Sequence, residues 1–140
     1  MVEPTVSEFL ADPSDHRKGC LACLCLASMA DHFFHARPDS RGGCKDADSF
    51  RAMVGKSDWA VGQIIGIANA TKHVERRRGR VGYQDVSAQK ITLGNLRCGW
   101  PFNGSQVMVE TKAGELWLLS HLVEAAMVYW RNRVARYPQT

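Results

Sequence analysis

The sequence predicts a mainly α-helical protein, a single-domain antiparallel helical bundle with a small β-hairpin and irregular insertion before the last helix. Three observations predict this class. The 140 residues are a length that suits one domain. Several apolar patterns in the first half repeat with a helical period. Residues 81–118 are instead broken by glycine and proline, which disfavours long helices. We therefore expect one domain over 1–140, with the insertion at 81–118.

The composition is that of an ordinary soluble globular protein, with 45% hydrophobic and 23% charged residues. The formal net charge of +4 permits contact with nucleic acid without demanding it. The amino terminus does not resemble a signal peptide, and the longest apolar run, 20–30, is shorter than the roughly 20 residues that cross a bilayer. With five cysteines, we expect free thiols in a reducing cytoplasm and no membrane contact.

Capping patterns divide the amino-terminal third into two predicted helices. Thr5 and Glu8 form a capping-box pattern, which predicts a short helix that starts at Thr5. Asp12 is predicted to cap a long helix that runs to about Ala36 and is stopped by Pro38. Because the centre of the long helix is apolar on every side, we expect it to be the most buried element.

Two further helices are predicted next, a short one over 48–54 stopped at Gly55, and a longer one over 59–73 capped by Ser57 and Asp58. An apolar stripe of the longer helix predicts its buried face: Val61, Ile64, Ile65 and Ala68. A second stripe combines small and polar residues: Gly62, Gly66, Asn69 and His73. Two glycines inside a helix cost about 1 kcal/mol each relative to alanine, so we expect a second helix to approach this stripe closely.

The carboxyl-terminal part predicts a hairpin and a final helix. Residues 106–111 alternate as a strand, 112–114 suit a turn, and 115–118 suit the return strand. Ser120 is predicted to cap the last helix. One side of that helix is apolar: Leu119, Val123, Met127, Trp130, Val134 and Tyr137.

The candidate catalytic residues are Asn69, Lys72 and His73. Asn69 and His73 lie one helical turn apart, so an amide and an imidazole could face the same substrate atom. A histidine near its free pKa transfers protons at neutral pH. The alternative is that Asn69 and His73 hydrogen-bond across a helix seam and fix its register.

A dense basic run follows this helix and supplies the candidate nucleic-acid-binding residues: Arg76, Arg77, Arg78 and Arg80. Arginine binds phosphate bidentately, which favours phosphate contact. The alternative is a solvated helix exit whose cations complement the helix dipole.

Two sets of side chains invite a metal-site hypothesis. The first is a cysteine group: Cys20, Cys23 and Cys25, with Cys44 or Cys98. It lies within a helical run, so core packing is the stronger interpretation. The second is a histidine group: His32 and His35, which are predicted to form a secondary polar face of the long helix, and His73. No Glu-x-x-His motif supports it, and polar contacts in a helix seam are its alternative; we predict neither a metal nor a cofactor.

The sequence of residues 67–73, Ile-Ala-Asn-Ala-Thr-Lys-His, resembles a pattern in small bacterial and prophage-borne proteins similar to HEPN-type helical bundles. The resemblance extends to residues 32–35, to Phe50, to 107–114 and to Trp130. It implies a helical bundle that acts in host–phage conflict, either as a metal-independent RNase or as a module that binds nucleotides or other proteins.

Only Asn69, Lys72 and His73 carry over from that pattern. Catalytic HEPN domains have an arginine shortly before a histidine, whereas this chain has Ile65 and Gly66 where the pattern has Arg-Asp. The first hypothesis is therefore a HEPN-like protein that binds RNA or a nucleotide, and is a degenerate RNase if it retains activity, with His73 as general acid/base.

The second hypothesis is a non-enzymatic protein that inhibits or adapts a larger protein complex. The resemblance implies that such a protein is phage-encoded. The hypothesis rests on the missing arginine and on the lack of a complete catalytic set. The glycine stripe and the apolar first long helix also suggest a homodimer.

Overall fold

The computed structural model describes residues 1–73, 90–94, 106–111 and 115–138, and describes only the backbone of residues 73, 90–94 and 110. Its five α-helices are α1 Val2–Ala11, α2 His16–Ala36, α3 Ala47–Ser57, α4 Trp59–His73 and α5 Leu119–Arg136. A short 3-10 helix, Pro38–Ser40, follows α2. The predicted class, mainly helical with a hairpin before the last helix, is confirmed.

Helix α2 is the central element, because it contacts each of the other four helices. Its buried side chains include Cys23, Leu26 and Ala30, which have no exposed surface. By length and composition α2 could cross a membrane, with a mean hydropathy of 1.2 and 44% of the window buried. The burial of these residues against four helices is the environment of a core helix.

The first two helices start at different residues from those predicted. Helix α1 begins at Val2, earlier than Thr5, whose hydroxyl donates to the Met1 carbonyl at 3.0 Å. Asp12 ends α1 instead of capping α2. The α2 cap is Asp15, whose carboxylate accepts from the Lys18 N–H at 3.0 Å. Both acids suit a cap chemically, and the Lys18 side chain binds Asp12 in the inter-helix turn.

The boundaries of α3 and α5 also correct the prediction. Helix α3 is capped by Asp46, which exchanges hydrogen bonds with Ser49, and it passes through Gly55 to end at Ser57. A helix tolerates a glycine in its interior at a cost of about 1 kcal/mol relative to alanine, so Gly55 does not have to end α3. Helix α5 starts at Leu119 directly from a strand, without a side-chain cap from Ser120.

Three antiparallel strands form one sheet in the order β1-β2-β3, with bounds β1 Lys90–Gly94, β2 Gln106–Glu110 and β3 Leu116–Leu118. The predicted hairpin of β2 and β3 is confirmed, with Met108 opposite Leu118. Strand β1 comes from the insertion and pairs with β2. Val107 and Val109 are buried, and β2 contacts α5, so the sheet packs on the last helix.

The predicted apolar stripes largely form the core. In α4, Val61, Ile64 and Ala68 are buried, whereas Ile65 is half-buried. In α5, the first four stripe residues are buried, and Val134 is 44% exposed because it lies in the last turns. The structure adds Ile67, which is fully buried and lay outside the predicted stripe.

Candidate functional site

Two residues of the small and polar stripe of α4, Gly62 and Asn69, line an open cleft of about 370 Å³ with α3. The residues that line this α3–α4 cleft are Asp48, Arg51, Ala52, Gly55, Gly62, Ile65 and Asn69. Asn69 is half-buried here. A ligand in the cleft would therefore lie beside Asn69.

Two glycines form the close contact between α3 and α4. A Cβ atom added to Gly62 would lie only 2.6 Å from the carbonyl oxygen of Gly55. A Cβ on Gly55 would lie 3.4 Å from the Cα of Gly62. The predicted close approach of a second helix to this stripe is therefore confirmed at Gly62, and that helix is α3.

The cation in the cleft, Arg51, is already neutralised. Its guanidinium donates to Asp48 at 2.8 Å and also to Asp31 on α2. The Arg51 side chain is 29% exposed, whereas that of Asp48 is 89% exposed. Two carboxylates against one guanidinium leave the cleft unfavourable for a phosphate group.

The side chains of the cleft suit the binding of a ligand through hydrogen bonds. Asn69 offers an amide that both donates and accepts, Arg51 offers a planar guanidinium, and Asp48 offers acceptors. Among the described side chains of the cleft there is no nucleophile with an adjacent base. A neutral heterocycle with donors and acceptors at its edge is the kind of ligand that this combination fits.

The predicted catalytic residues are brought together only in part. Asn69 lies in the cleft, whereas Lys72 is exposed and is not among the lining residues. His73 ends α4, and its side chain lies outside the described residues. The predicted nucleic-acid-binding residues also lie outside them: Arg76, Arg77, Arg78 and Arg80.

The histidines predicted as a secondary polar face, His32 and His35, are exposed on α2. Among the described side chains, no three histidines, cysteines or acids converge on one point. Because the side chain of His73 is not described, its convergence with His32 and His35 stays a prediction.

The three cysteines of α2 differ in how deeply they are buried. Cys23 is completely buried, and this burial raises the pKa of its thiol well above the usual range. Cys20 and Cys25 are half-buried. Cys23 thus packs as the core residue that the sequence predicted.

The acidic partners of the cleft were missed by sequence reasoning. The spacing of Asp48 and Arg51, three residues apart on one helix, is a signal that could have predicted their ion pair. The bond from Arg51 to Asp31 joins two helices, and no local pattern indicates it.

An exposed aromatic pair was also missed. Trp59 at the start of α4 and Trp117 in β3 have ring centroids 4.8 Å apart. Their exposed fractions are 47% and 39%, and the neighbouring Leu116 is 39% exposed. We refer to Trp59 and Trp117 as the tryptophan pair.

Comparison of the chain with protein-family models, with curated proteins and with solved structures finds no match in any of the three. The resemblance to HEPN-type helical bundles therefore stays a prediction, and the geometry of the cleft carries the functional argument.

Proposed function

We propose that this chain is a HEPN-like cytoplasmic protein of host–phage conflict that binds RNA or a nucleotide and places an unpaired base in the α3–α4 cleft. The observation that carries the proposal is the position of Asn69, half-buried and lining an open cleft instead of being enclosed in a helix seam. The link to host–phage conflict rests on the resemblance alone.

The size and lining of the cleft support a base as its occupant. A volume of about 370 Å³ lies at the small end of ligand pockets, which span about 300–1,000 Å³. Gly55 and Gly62 leave the floor without side chains, and Ile65 gives an apolar surface for a ring. An asparagine amide can form two hydrogen bonds to the edge of adenine.

The phosphates would lie outside the cleft, because Asp31 and Asp48 repel them. Lys72 is exposed one turn from Asn69 and would contact a phosphate next to the bound base. The basic run at 76–80 follows α4 in sequence and would extend that contact.

Binding of a fluorescent single-stranded RNA, followed by anisotropy, tests the proposal. Asn69→Leu keeps the size of the side chain and removes its hydrogen bonds, so affinity should fall by about 1–3 kcal/mol. The matched control is Ser28→Ala, an exposed polar position on α2 that lines no described cleft. Equal affinity for wild type and Asn69→Leu would remove the cleft from the RNA site.

Cleavage is tested separately with the same RNA. If the protein is an active RNase, His73→Ala should abolish cleavage while binding persists, because His73 would be the general acid/base. Cleavage that is equal in both proteins would show that His73 has no catalytic role.

The tryptophan pair favours a second candidate function, binding to a larger protein complex or to a second copy of this chain. Exposed tryptophans are common anchors of protein interfaces, and Leu116, which precedes Trp117 in β3, is exposed as well. Capture of a stable protein complex by wild type, and its loss in Trp117→Ser, would support this candidate. Sedimentation of the purified protein reports self-association.

The salt dependence of binding distinguishes the two candidate functions. RNA contacts made through phosphates weaken steeply between low and moderate salt, whereas an apolar contact through the tryptophan pair changes little.

A further inference from the structure

Four arginines belong to the segments that meet at the 3-10 helix and at the carboxyl ends of α2 and α5. We refer to them as the arginine cluster: Arg37, Arg41, Arg133 and Arg136. Arg37 donates to the carbonyl of Tyr137, and Arg133 donates to the carbonyl of Ser40 at 2.8 Å. These hydrogen bonds join two segments that are distant in sequence, residues 37–40 and residues 133–137.

Three of these guanidinium groups contact neutral groups: that of Arg37, described above, and those of Arg41 and Arg133. Arg41 lies over the ring of Phe34 at 4.5 Å, and its Nε donates to the Phe34 carbonyl at 2.7 Å. Arg133 lies 5.2 Å from the centre of Phe50, and its Nη1 donates to the Tyr129 hydroxyl at 3.1 Å. Contacts with rings and carbonyls orient the cations without cancelling their charge.

The charge of the cluster is not compensated by the described part of the chain. Elsewhere in the described part, a carboxylate lies within 4.0 Å of three cations: Lys18, Arg51 and Arg131. No described carboxylate lies that close to any of the four arginines. Asp39 lies in the 3-10 helix and Asp58 lines a cleft with Arg133 and Arg136, so two acids stand against four arginines and an excess of positive charge remains.

Donors and space for a ligand are both present. A guanidinium has five N–H groups, and the described contacts of Arg41 use one of them. Arg136 is exposed and makes no described hydrogen bond or ion pair. Arg133 and Arg136 line a second cleft of about 300 Å³ together with Asn132, Tyr129 and Asp58.

Helix dipoles explain only part of this arrangement. A cation near a helix carboxyl end is stabilised by the dipole, and Arg37, Arg133 and Arg136 lie at such ends. Arg41 lies beyond α2, and the dipole does not require several cations without counter-ions at one point. Fixed, unpaired guanidinium groups are typical of phosphate sites.

We propose that the arginine cluster binds the phosphodiester backbone of RNA and forms a second contact surface beside the α3–α4 cleft. This inference rests on the proposed function for the identity of the ligand. The turn between α3 and α4 relates the two surfaces, because Asp58 of this turn lines the second cleft, and Gly55 and Gly62 on either side of it line the first. A single strand with a base in the first cleft would follow this turn to bring its more distant phosphates to the cluster.

Binding of the same fluorescent RNA, measured at several salt concentrations, tests this inference. Arg136→Gln removes a cation that has no described structural contact, so the fold should be unchanged. We expect affinity to fall about three- to tenfold, and the slope of log K against log salt to shrink by about 0.7 for a lost contact to a single strand. Arg41→Gln with Arg136→Gln should roughly double the loss in slope.

The matched control is Arg131→Gln, which makes the same change of charge on the same helix. Arg131 is exposed and is paired with Glu3 at 3.0 Å, so its loss should leave affinity and slope unchanged. Wild-type affinity and slope in Arg136→Gln and in the double variant would overturn the inference.

The outcomes separate the two proposals. RNA binding that depends on the cluster but not on Asn69 would overturn the proposed cleft and support the arginine surface. Binding that depends on Asn69 but not on the cluster would do the reverse. No RNA binding by the wild-type protein would overturn both.

Discussion

At the scale of the residue, the backbone contact between Gly55 and Gly62 sets how closely α3 and α4 can lie. The carbonyl oxygen of Gly55 occupies the space where a side chain of residue 62 would begin. The same contact shapes the floor of the α3–α4 cleft, because both glycines line it. Stability and ligand access therefore depend on the same two positions.

The two glycines should respond differently to alanine. Gly62→Ala would place Cβ 2.6 Å from a backbone oxygen that cannot move without the helix, so unfolding free energy should fall by about 1–3 kcal/mol. Gly55→Ala meets an ordinary contact at 3.4 Å and gains helix propensity, so it should stay within about 1 kcal/mol of wild type. Urea denaturation measures both, and equal losses would contradict the asymmetric contact.

The cap of α3 should make stability depend on acid. Hydrogen bonds from the backbone and side chain of Ser49 lower the pKa of Asp46 below its ordinary 3.8. A lowered folded-state pKa stabilises the protein above pH 3.8, and this contribution is lost as the pH falls through the folded-state value.

Asp46→Ala should therefore lower Tm at neutral pH, and its difference from wild type should shrink in acid below pH 3.8. Glu8→Gln, which removes an exposed carboxylate without a described hydrogen bond, is the control and should show no such convergence. A Tm difference independent of pH would show that the carboxylate charge does not contribute to the cap.

At the scale of the element, Trp130 is an aromatic contact between α5 and α2. Its indole stacks on Phe33 with ring centroids 5.4 Å apart, and only 2% of the residue is exposed. The indole N–H is buried and has no hydrogen-bond partner among the described residues. The ring therefore contributes packing, while its polar atom opposes burial.

Trp130→Ala should lower the unfolding free energy by about 3–5 kcal/mol, because it leaves a cavity between two helices. Trp130→Phe keeps the stack and removes the unsatisfied N–H, so its loss should be clearly smaller. Denaturant unfolding compares the two variants. A phenylalanine variant as unstable as the alanine variant would contradict a role based on stacking.

The elements themselves follow from local patterns, but some of their ends do not. The period of α4 and its cap at Asp58 predicted its observed bounds, with Asp58 accepting from the Val61 N–H at 3.0 Å. Asp12 and Asp15 are equally suitable caps by chemistry, and the choice between them depends on contacts in the inter-helix turn. Such contacts cannot be found from a single stretch of sequence.

At the scale of the whole molecule, the functional surfaces are assembled from distant segments. Spacing on one helix predicted that Asn69 would share a face with Gly62. The ion pair of Asp31 with Arg51 joins two helices, and the hydrogen bonds of Arg37 and Arg133 join segments that are distant in sequence. Only the tertiary packing reveals these, which is why sequence reasoning missed them.

Cys23 should report the opening of the whole bundle. Burial in α2 raises the pKa of its thiol and excludes reagents, so labelling requires unfolding. Cys25, which is half-buried on the same helix, should label much faster under native conditions. Peptide mapping after timed labelling measures both rates. Equal native rates at the two cysteines would show that α2 is not the closed centre of the fold.

The circular dichroism of the tryptophan pair can report whether the sheet is docked on the helical bundle. Trp59 belongs to the helical bundle and Trp117 to the sheet, and their rings lie 4.8 Å apart at an angle of 56°. Two indoles at this distance and angle couple their electronic transitions, so circular dichroism of the pair registers whether the sheet is docked on the bundle. A partner that covers the pair or separates the sheet from α4 would alter that signal without any added label.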